Sequence, residues 1–286
     1  MYFRPEIVAM DGYTPGEQPQ AGKFIKLNTN ENPYPPSPHV VAAIADELAD
    51  GGQLLRLYPD PNADRLKEAI AARYAGFGIT AQQVFVGNGS DEVLAHVFMA
   101  LLKHERPILF PDITYSFYPV YCALYGIAYE TIPLDGAFQV NVADYDRPNG
   151  GIVLANPNAP TGIAVGLAQI RALLAQSPRS VVLVDAAYVA FGAESAVPLV
   201  AAYPNLLVVQ TYSKSRALAG LRISMACGAL SLVTALNTVK NSFNSYPLDR
   251  LALIGAEAAF RDTEYFHNTC RRIMESREWL AGKLQD

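Results

Sequence analysis

The chain has 286 residues, 51% of them hydrophobic and 17% charged, with a formal net charge of −5. That length fits one large α/β domain, alone or with a smaller appendage. The composition excludes intrinsic disorder, whose signature is low hydrophobicity with high net charge, and the acidic balance excludes a nucleic-acid footprint, which needs a clustered basic face. Cys122, Cys227 and Cys270 are far apart, odd in number and in no C-x-x-C spacing. Neither a disulfide framework nor a zinc site is expected, and a reducing cytoplasm fits. The four histidines form no ligand pair, so no metal is expected. The opening MYFRPEIVAMDGY lacks the apolar core of a secretory signal. The most apolar stretch, 181 to 203, is interrupted by Asp185 and Glu194 and reads as a buried segment, not a membrane span.

In chain order, residues 1 to 36 are rich in Pro, Asn and Gly (LNTNENPYPPSP) and read as an irregular arm. Ser37 caps a helix with Pro38 at its first position, expected to run to Gly51-Gly52. LYPDPN is a second Pro-rich turn, leading into a helix over 63 to 75 ended by Gly76. QVFVGNGSDEVLAHVFMALLK predicts a strand, a glycine turn and a helix, with Val93, Leu94, Val97, Phe98, Leu101 and Leu102 on one face. Further strands are expected at 107–110, 128–134, 151–155, 180–185, 206–210 and 223–229. Continuous apolar runs between helices predict a mostly parallel sheet buried on both faces, an α/β fold of three layers, α/β/α. After about 231 the chain reads as wholly helical. The expected division is an arm (1–36), a large α/β domain (37–248) and the helical start of a small domain (249–286), against which the 37–50 helix is placed.

In open α/β sheets ligands bind outside the carboxyl ends of the strands, so the residues there carry the functional reading. Gly87-Asn88-Gly89-Ser90-Asp91 opens a helix. Its glycines allow close backbone approach and its free N–H groups suit a phosphate, although an ordinary capped turn reads equally well. Tyr115 follows 107–110 and could stack on a flat ligand or sit in the core. Asn158 stands on a turn stiffened by Pro157 and Pro160, as a fixed donor or an Asx turn. Asp185 ends an apolar run, with Tyr188 three residues on. A carboxylate there needs a partner and is otherwise a helix cap. Lys214, between Ser213 and Ser215 at the end of the 206–210 run, is either a desolvated nucleophile or a snorkelling lysine. Each bland reading competes singly. One ligand asks for all five features together with Arg222: an aldehyde, a protonated ring nitrogen, a phenolate oxygen, a flat ring and a phosphate, which is pyridoxal 5′-phosphate.

The stretches LNTNENPYP, LYPDPNADRLKEAIA, VGNGSDEVL, ANPNAPTG, VDAAY and YSKSRALAGLR, in that order, resemble the fold-type I, pyridoxal-phosphate-dependent aminotransferases, most of all the histidinol-phosphate aminotransferases. The resemblance implies roles by position. Lys214 would carry the cofactor and move the proton between Cα and C4′. Asp185 would pair with the ring nitrogen, Tyr188 and Asn158 would bond the phenolic oxygen, and Tyr115 would stack on the ring. Gly89, Ser90, Asp91, Ser213 and Arg222 would surround the phosphate. Tyr58 would reach the cofactor phosphate of a partner subunit in a homodimer, and Tyr13, Glu31 and Asn32 would lie near the substrate. The implied reaction moves nitrogen from L-histidinol phosphate to 2-oxoglutarate. Alternatives are an aromatic or broad-specificity aminotransferase, a phospho-amino-acid decarboxylase, or a pyridoxal-phosphate binder with little turnover.

Three departures from the family pattern stand out. Ala186 occupies a position where a Glu is expected. Arg216 stands where a small or apolar residue is usual, either depressing the pKa of Lys214 or pointing to solvent. The resemblance also implies a further small-domain segment beyond Asp286, carrying an arginine for the substrate.

Overall fold

The computed structural model describes residues 2, 5–8, 10–18 and 25–285. In it seven apolar runs pair into one sheet: β1 (Val84–Asn88), β2 (Ile108–Pro111), β3 (Tyr129–Ile132), β4 (Gly151–Ala155), β5 (Val182–Asp185), β6 (Leu206–Thr211) and β7 (Ile223–Gly228). Their order across the sheet is β1-β7-β6-β5-β4-β2-β3. The pairs among β2 to β6 are parallel, while β7 runs antiparallel to both β1 and β6. Residues 212–222, between β6 and β7, are too few for the crossover a parallel return needs, so the chain doubles back.

The helices are α1 (Pro5–Val8), α2 (Pro38–Glu47), α3 (Ala49–Gly52), α4 (Asp64–Tyr74), α5 (Gly89–Leu101), α6 (Tyr118–Tyr125), α7 (Leu167–Gln176), α8 (Leu230–Phe243), α9 (Arg250–Arg261) and α10 (Thr263–Gln285). Strand pleating sends alternate side chains to opposite faces. Val182, Val184, Leu206, Val208, Ile223 and Met225 join one core with α4, α7 and α9. Leu183, Leu207, Val209 and Ala226 join the other with α5, α6 and α8. The expected three layers are present, with one reversed strand.

Several boundaries differ from the expected ones. α2, capped by the Ser37 hydroxyl as expected, ends at Glu47, because left-handed backbone at Asp50 and Gly51 breaks the helix within α3. α4 ends at Tyr74, and a 3-10 turn over Ala75–Phe77, which includes Gly76, follows it and is closed by the left-handed Gly78. β3 stops at Ile132, since Pro133 has no N–H for a ladder. α2 packs closely on α9 at Gly255, where a Cβ would meet Leu221 Cδ1 at 2.8 Å and Ile44 Cδ1 at 3.3 Å. The three cysteines are buried and unpaired. Among the described residues no helix is long and apolar enough to cross a membrane, and no His, Cys, Asp or Glu group could hold a metal.

Leu183, fully buried at the centre of the sheet, sets a test of this core. Leu183→Ala is expected to lose about 2–5 kcal/mol of stability, measured by urea unfolding. Met99→Ala on the exposed side of α5 is expected to change it by no more than about 0.5 kcal/mol.

Candidate active site

β4, β5 and β6 end level with one another. Ala155 pairs with Asp185, and Asp185 with Val209, so the loops that follow open on one edge of the sheet. The reversed β7 starts at that same edge, where Ile223 pairs with Asn88. Arg222 is thereby set beside the first turn of α5. It has a left-handed backbone, φ 54°. Gly89 is also left-handed, φ 78°, and a Cβ there would stand 2.3 Å from Arg222 Nη2, so only glycine leaves the guanidinium its place. Arg222 Nη2 lies 3.4 Å from Asp91 Oδ2, with both side chains more than 40% exposed (42% and 46%). At that distance and exposure the pair is weak, and the guanidinium remains available to an anion. Gly89, Ser90, Asp91 and Arg222 thus gather at the N-terminus of a long helix, where orphan N–H groups and the helix dipole favour negative charge.

Tyr115 joins this group by donating its hydroxyl to Asp91 Oδ1 at 3.3 Å, and its ring stands edge-on to Tyr118, centroids 5.5 Å apart. Tyr118, wholly buried at the start of α6, donates its hydroxyl to Asp185 Oδ2 at 2.9 Å. The other oxygen, Oδ1, is buried and has no hydrogen-bond partner among the described residues. Burial pushes Asp185 up to about 6, opposed by the Tyr118 hydroxyl and by the Ala187 backbone N–H, which approaches the carboxylate without full hydrogen-bond geometry, and Asp91 adds to the rise. Such an oxygen costs stability unless a ligand meets it.

Lys214 is half-buried in the turn after β6 and donates from Nζ to Thr29 O at 2.8 Å. Burial lowers its pKa. Glu31 and Asp91 oppose this, while Arg222 and Lys26 add to it. A partly desolvated amine of this kind is a nucleophile and a proton carrier. Its Nζ lies 6.0 Å from the centre of the Tyr188 ring, and the Tyr188 hydroxyl accepts from Asn30 Nδ2 at 3.1 Å.

Of the residues expected near a substrate, Asn32 donates from Nδ2 to the Lys214 carbonyl at 2.9 Å. Glu31 is bonded to Lys26, which holds its carboxyl below the usual carboxylate range. Tyr13 stacks on Phe117 with centroids 4.7 Å apart. Asn158 is buried and fully engaged: Nδ2 donates to Ile113 O and Thr161 Oγ1, and Oδ1 accepts from the Thr114 hydroxyl. Ser213 is buried and accepts from Thr211 Oγ1 at 3.0 Å. Tyr58 stands apart from this cluster, 79% exposed and stacked on Tyr246.

Sequence reasoning missed Tyr118, Asn30, Lys26 and the Thr29 carbonyl. Tyr118 carried one signal, a tyrosine in the apolar first turn of a helix, whose hydroxyl must find a partner once buried. A backbone carbonyl carries none. Both expectations for Arg216 are corrected. It neither borders Lys214 nor points to solvent, because Nη1 donates to Ala259 O at 2.6 Å and the guanidinium lies over the rings of Phe260 (4.2 Å) and Phe266 (4.3 Å).

Residues 22–286 match the family described as aminotransferase class I and II. The histidinol-phosphate aminotransferase 1 of Pseudomonas fluorescens is 59% identical over 99% of this chain and 79% of its own length. That of Methylococcus capsulatus is 62% identical over 100% of this chain and 78% of its own. Among solved structures, the histidinol-phosphate aminotransferase of Sinorhizobium meliloti in complex with pyridoxal-5′-phosphate has the same fold. Its TM-score is 0.77 at 22% identity, covering 87% of this chain and 68% of that one.

The raised Asp185 makes ligand-free stability depend on pH. Between about pH 4, the unfolded value, and pH 6 the folded chain holds more protons than the unfolded one. Stability therefore falls as pH rises through that window, by up to ~3 kcal/mol. Urea midpoints from pH 4 to 7 should show this slope in the ligand-free protein and a flatter profile in Asp185→Asn.

Proposed function

The chain belongs to the class I and II aminotransferase family, and on that footing we propose that it is a histidinol-phosphate aminotransferase. It would use pyridoxal 5′-phosphate to transfer the amino group of L-histidinol phosphate to 2-oxoglutarate, as a cytoplasmic homodimer. One observation carries the cofactor assignment: a buried carboxylate oxygen without a partner, on Asp185, at the same strand-end edge as the desolvated amine of Lys214. The donor assignment rests on relatives about 60% identical over nearly the whole chain.

The residues present fit the group. Asp185 Oδ1 suits a protonated ring nitrogen, whose positive charge would favour the ionised carboxylate and offset its burial. Arg222 and the first turn of α5, at Gly89, Ser90 and Asp91, suit the phosphate, to which Ser213 would add a hydroxyl. Tyr188 and Asn158 would hold the phenolic oxygen. Tyr115 offers its ring. When bound, the cofactor supplies an aldehyde for the amine and a conjugated ring that accepts the electron pair left at the substrate Cα. Lys214 would remove and return the Cα proton, and burial, by lowering its pKa, favours the neutral amine that this needs. Asp185 keeps the ring nitrogen charged by fixed electrostatics. Tyr13, Glu31 and Asn32 line the side from which a donor enters, and Tyr58 reaches the phosphate bound in the partner subunit.

Adding L-histidinol phosphate to the cofactor-loaded protein should shift its visible spectrum to the pyridoxamine form, and 2-oxoglutarate should shift it back. Aromatic amino acids reacting as fast would overturn the donor assignment, and evolution of carbon dioxide would point to a decarboxylase. Lys214→Ala should slow proton transfer at least 10²–10⁴-fold, about the range for losing a general acid–base group. Gly89→Ala, by displacing Arg222, should weaken cofactor binding by about tenfold, close to the loss of one charge-assisted hydrogen bond, measured by fluorescence titration.

A further inference from the structure

Behind the strand-end edge lies a second cavity, of about 220 Å³, bordered by Ala186, Gln210, Tyr212, Arg216 and Phe260. It is separate from the Lys214 site. Ala186 and Tyr212 belong to the core on the α4–α9 face of the sheet, whereas Asp185 points to Tyr118 in the core on the other face.

The polar groups of this cavity are poorly served. Tyr212 is 1% exposed and its hydroxyl has no hydrogen-bond partner. The Tyr74 hydroxyl reaches Gln210 Oε1 only at 3.4 Å, and Gln210 Nε2 reaches Ser195 Oγ only at 3.5 Å, both long for such bonds. Arg216 brings a largely buried positive charge. Its one hydrogen bond goes to a backbone carbonyl, and the rest of the guanidinium rests on aromatic faces. Among the described residues no carboxylate stands within ion-pair distance of it. Cation–π contacts offset part of the desolvation, but a buried charge is stable only when paired. An unpartnered donor on Tyr212, a cation that Asp262 meets only from beyond ion-pair distance, and open space beside the short side chain of Ala186 all ask for the same missing species.

We propose that this cavity binds a small monocarboxylate anion, held by the Arg216 guanidinium and the Tyr212 hydroxyl. A single negative charge matches the largely buried Arg216, with the half-buried Arg73 also on the cavity wall, and the volume admits a two- or three-carbon acid with water. The anion would lie against the backs of the two segments, 185–188 and 211–216, that carry Asp185 and Lys214.

Thermal melting of the cofactor-loaded full chain in acetate against chloride, at equal ionic strength, tests this. Saturating acetate should raise the Tm of the natural sequence by ~2–4 °C. Ala186→Glu places a carboxylate in the cavity covalently. It should melt higher than the natural sequence in chloride and show no acetate shift. Tyr212→Phe removes the unpartnered hydroxyl, so it should melt no lower in chloride yet need several-fold more acetate for the same shift. A natural sequence indifferent to acetate, or an undiminished shift in Ala186→Glu, overturns the proposal. Should Ala186→Glu fail to fold, an undiminished shift in Tyr212→Phe does so instead.

Discussion

Because β7 runs antiparallel between β1 and β6, both ends of the 212–222 connection lie at the edge where the parallel strands finish. Lys214 follows the end of β6, Arg222 precedes the start of β7, and the register of β7 with β1 sets Arg222 against the first turn of α5. A parallel β7 would begin at the opposite edge and carry Arg222 away from that helix. The short connection therefore does what a long crossover could not. It joins an amine and a guanidinium in one loop and aims both at the helix that opens from β1. Gly89 completes the arrangement by leaving the guanidinium room.

The buried or half-buried charges around this edge are met in different ways. Asp185 is given one strong donor, Tyr118, and left with one oxygen unmet, so part of its stabilisation is deferred to a ligand. Lys214 is held by a carbonyl of the N-terminal arm, and burial lowers its pKa. Arg216, two residues further along, is removed from the site altogether and laid on Phe260 and Phe266. Like charges so close in sequence would otherwise compete for one pocket. Turning Arg216 to the other face of the sheet leaves the electrostatics around Lys214 to Glu31, Asp91, Arg222 and Lys26. Departures from local stability of this kind concentrate at functional sites.

What was legible in the sequence follows from which forces act locally. β4 could be read to the residue, because Gly151–Ala155 is an unbroken apolar run bounded by polar turn residues. Asp185 and Lys214, each with a competing bland reading when taken alone, gained weight only because one ligand asked for both at the ends of neighbouring strands. The end of α2 was misplaced by a few residues, since which of several nearby residues turns left-handed is decided by packing, not by the glycine count, while α4 was read to within one residue. Tyr118 gave only the weak signal of a tyrosine in an apolar turn and the Thr29 carbonyl gave none, because their partners lie 67 and 185 residues away. Arg216 was misjudged for the same reason: the rings that receive it come from α9 and α10.

The arm contacts carry one more implication, for the order of assembly. Asn30, Asn32 and the Thr29 carbonyl bond Tyr188 and the Lys214 segment across 158, 182 and 185 residues, and they bring little apolar surface with them. Contacts of such long range and small burial form late in folding. They are also the first to break, as local openings far below the free energy of global unfolding. Opening of these few contacts would free the Lys214 amine without disturbing the sheet that holds Asp185 in place.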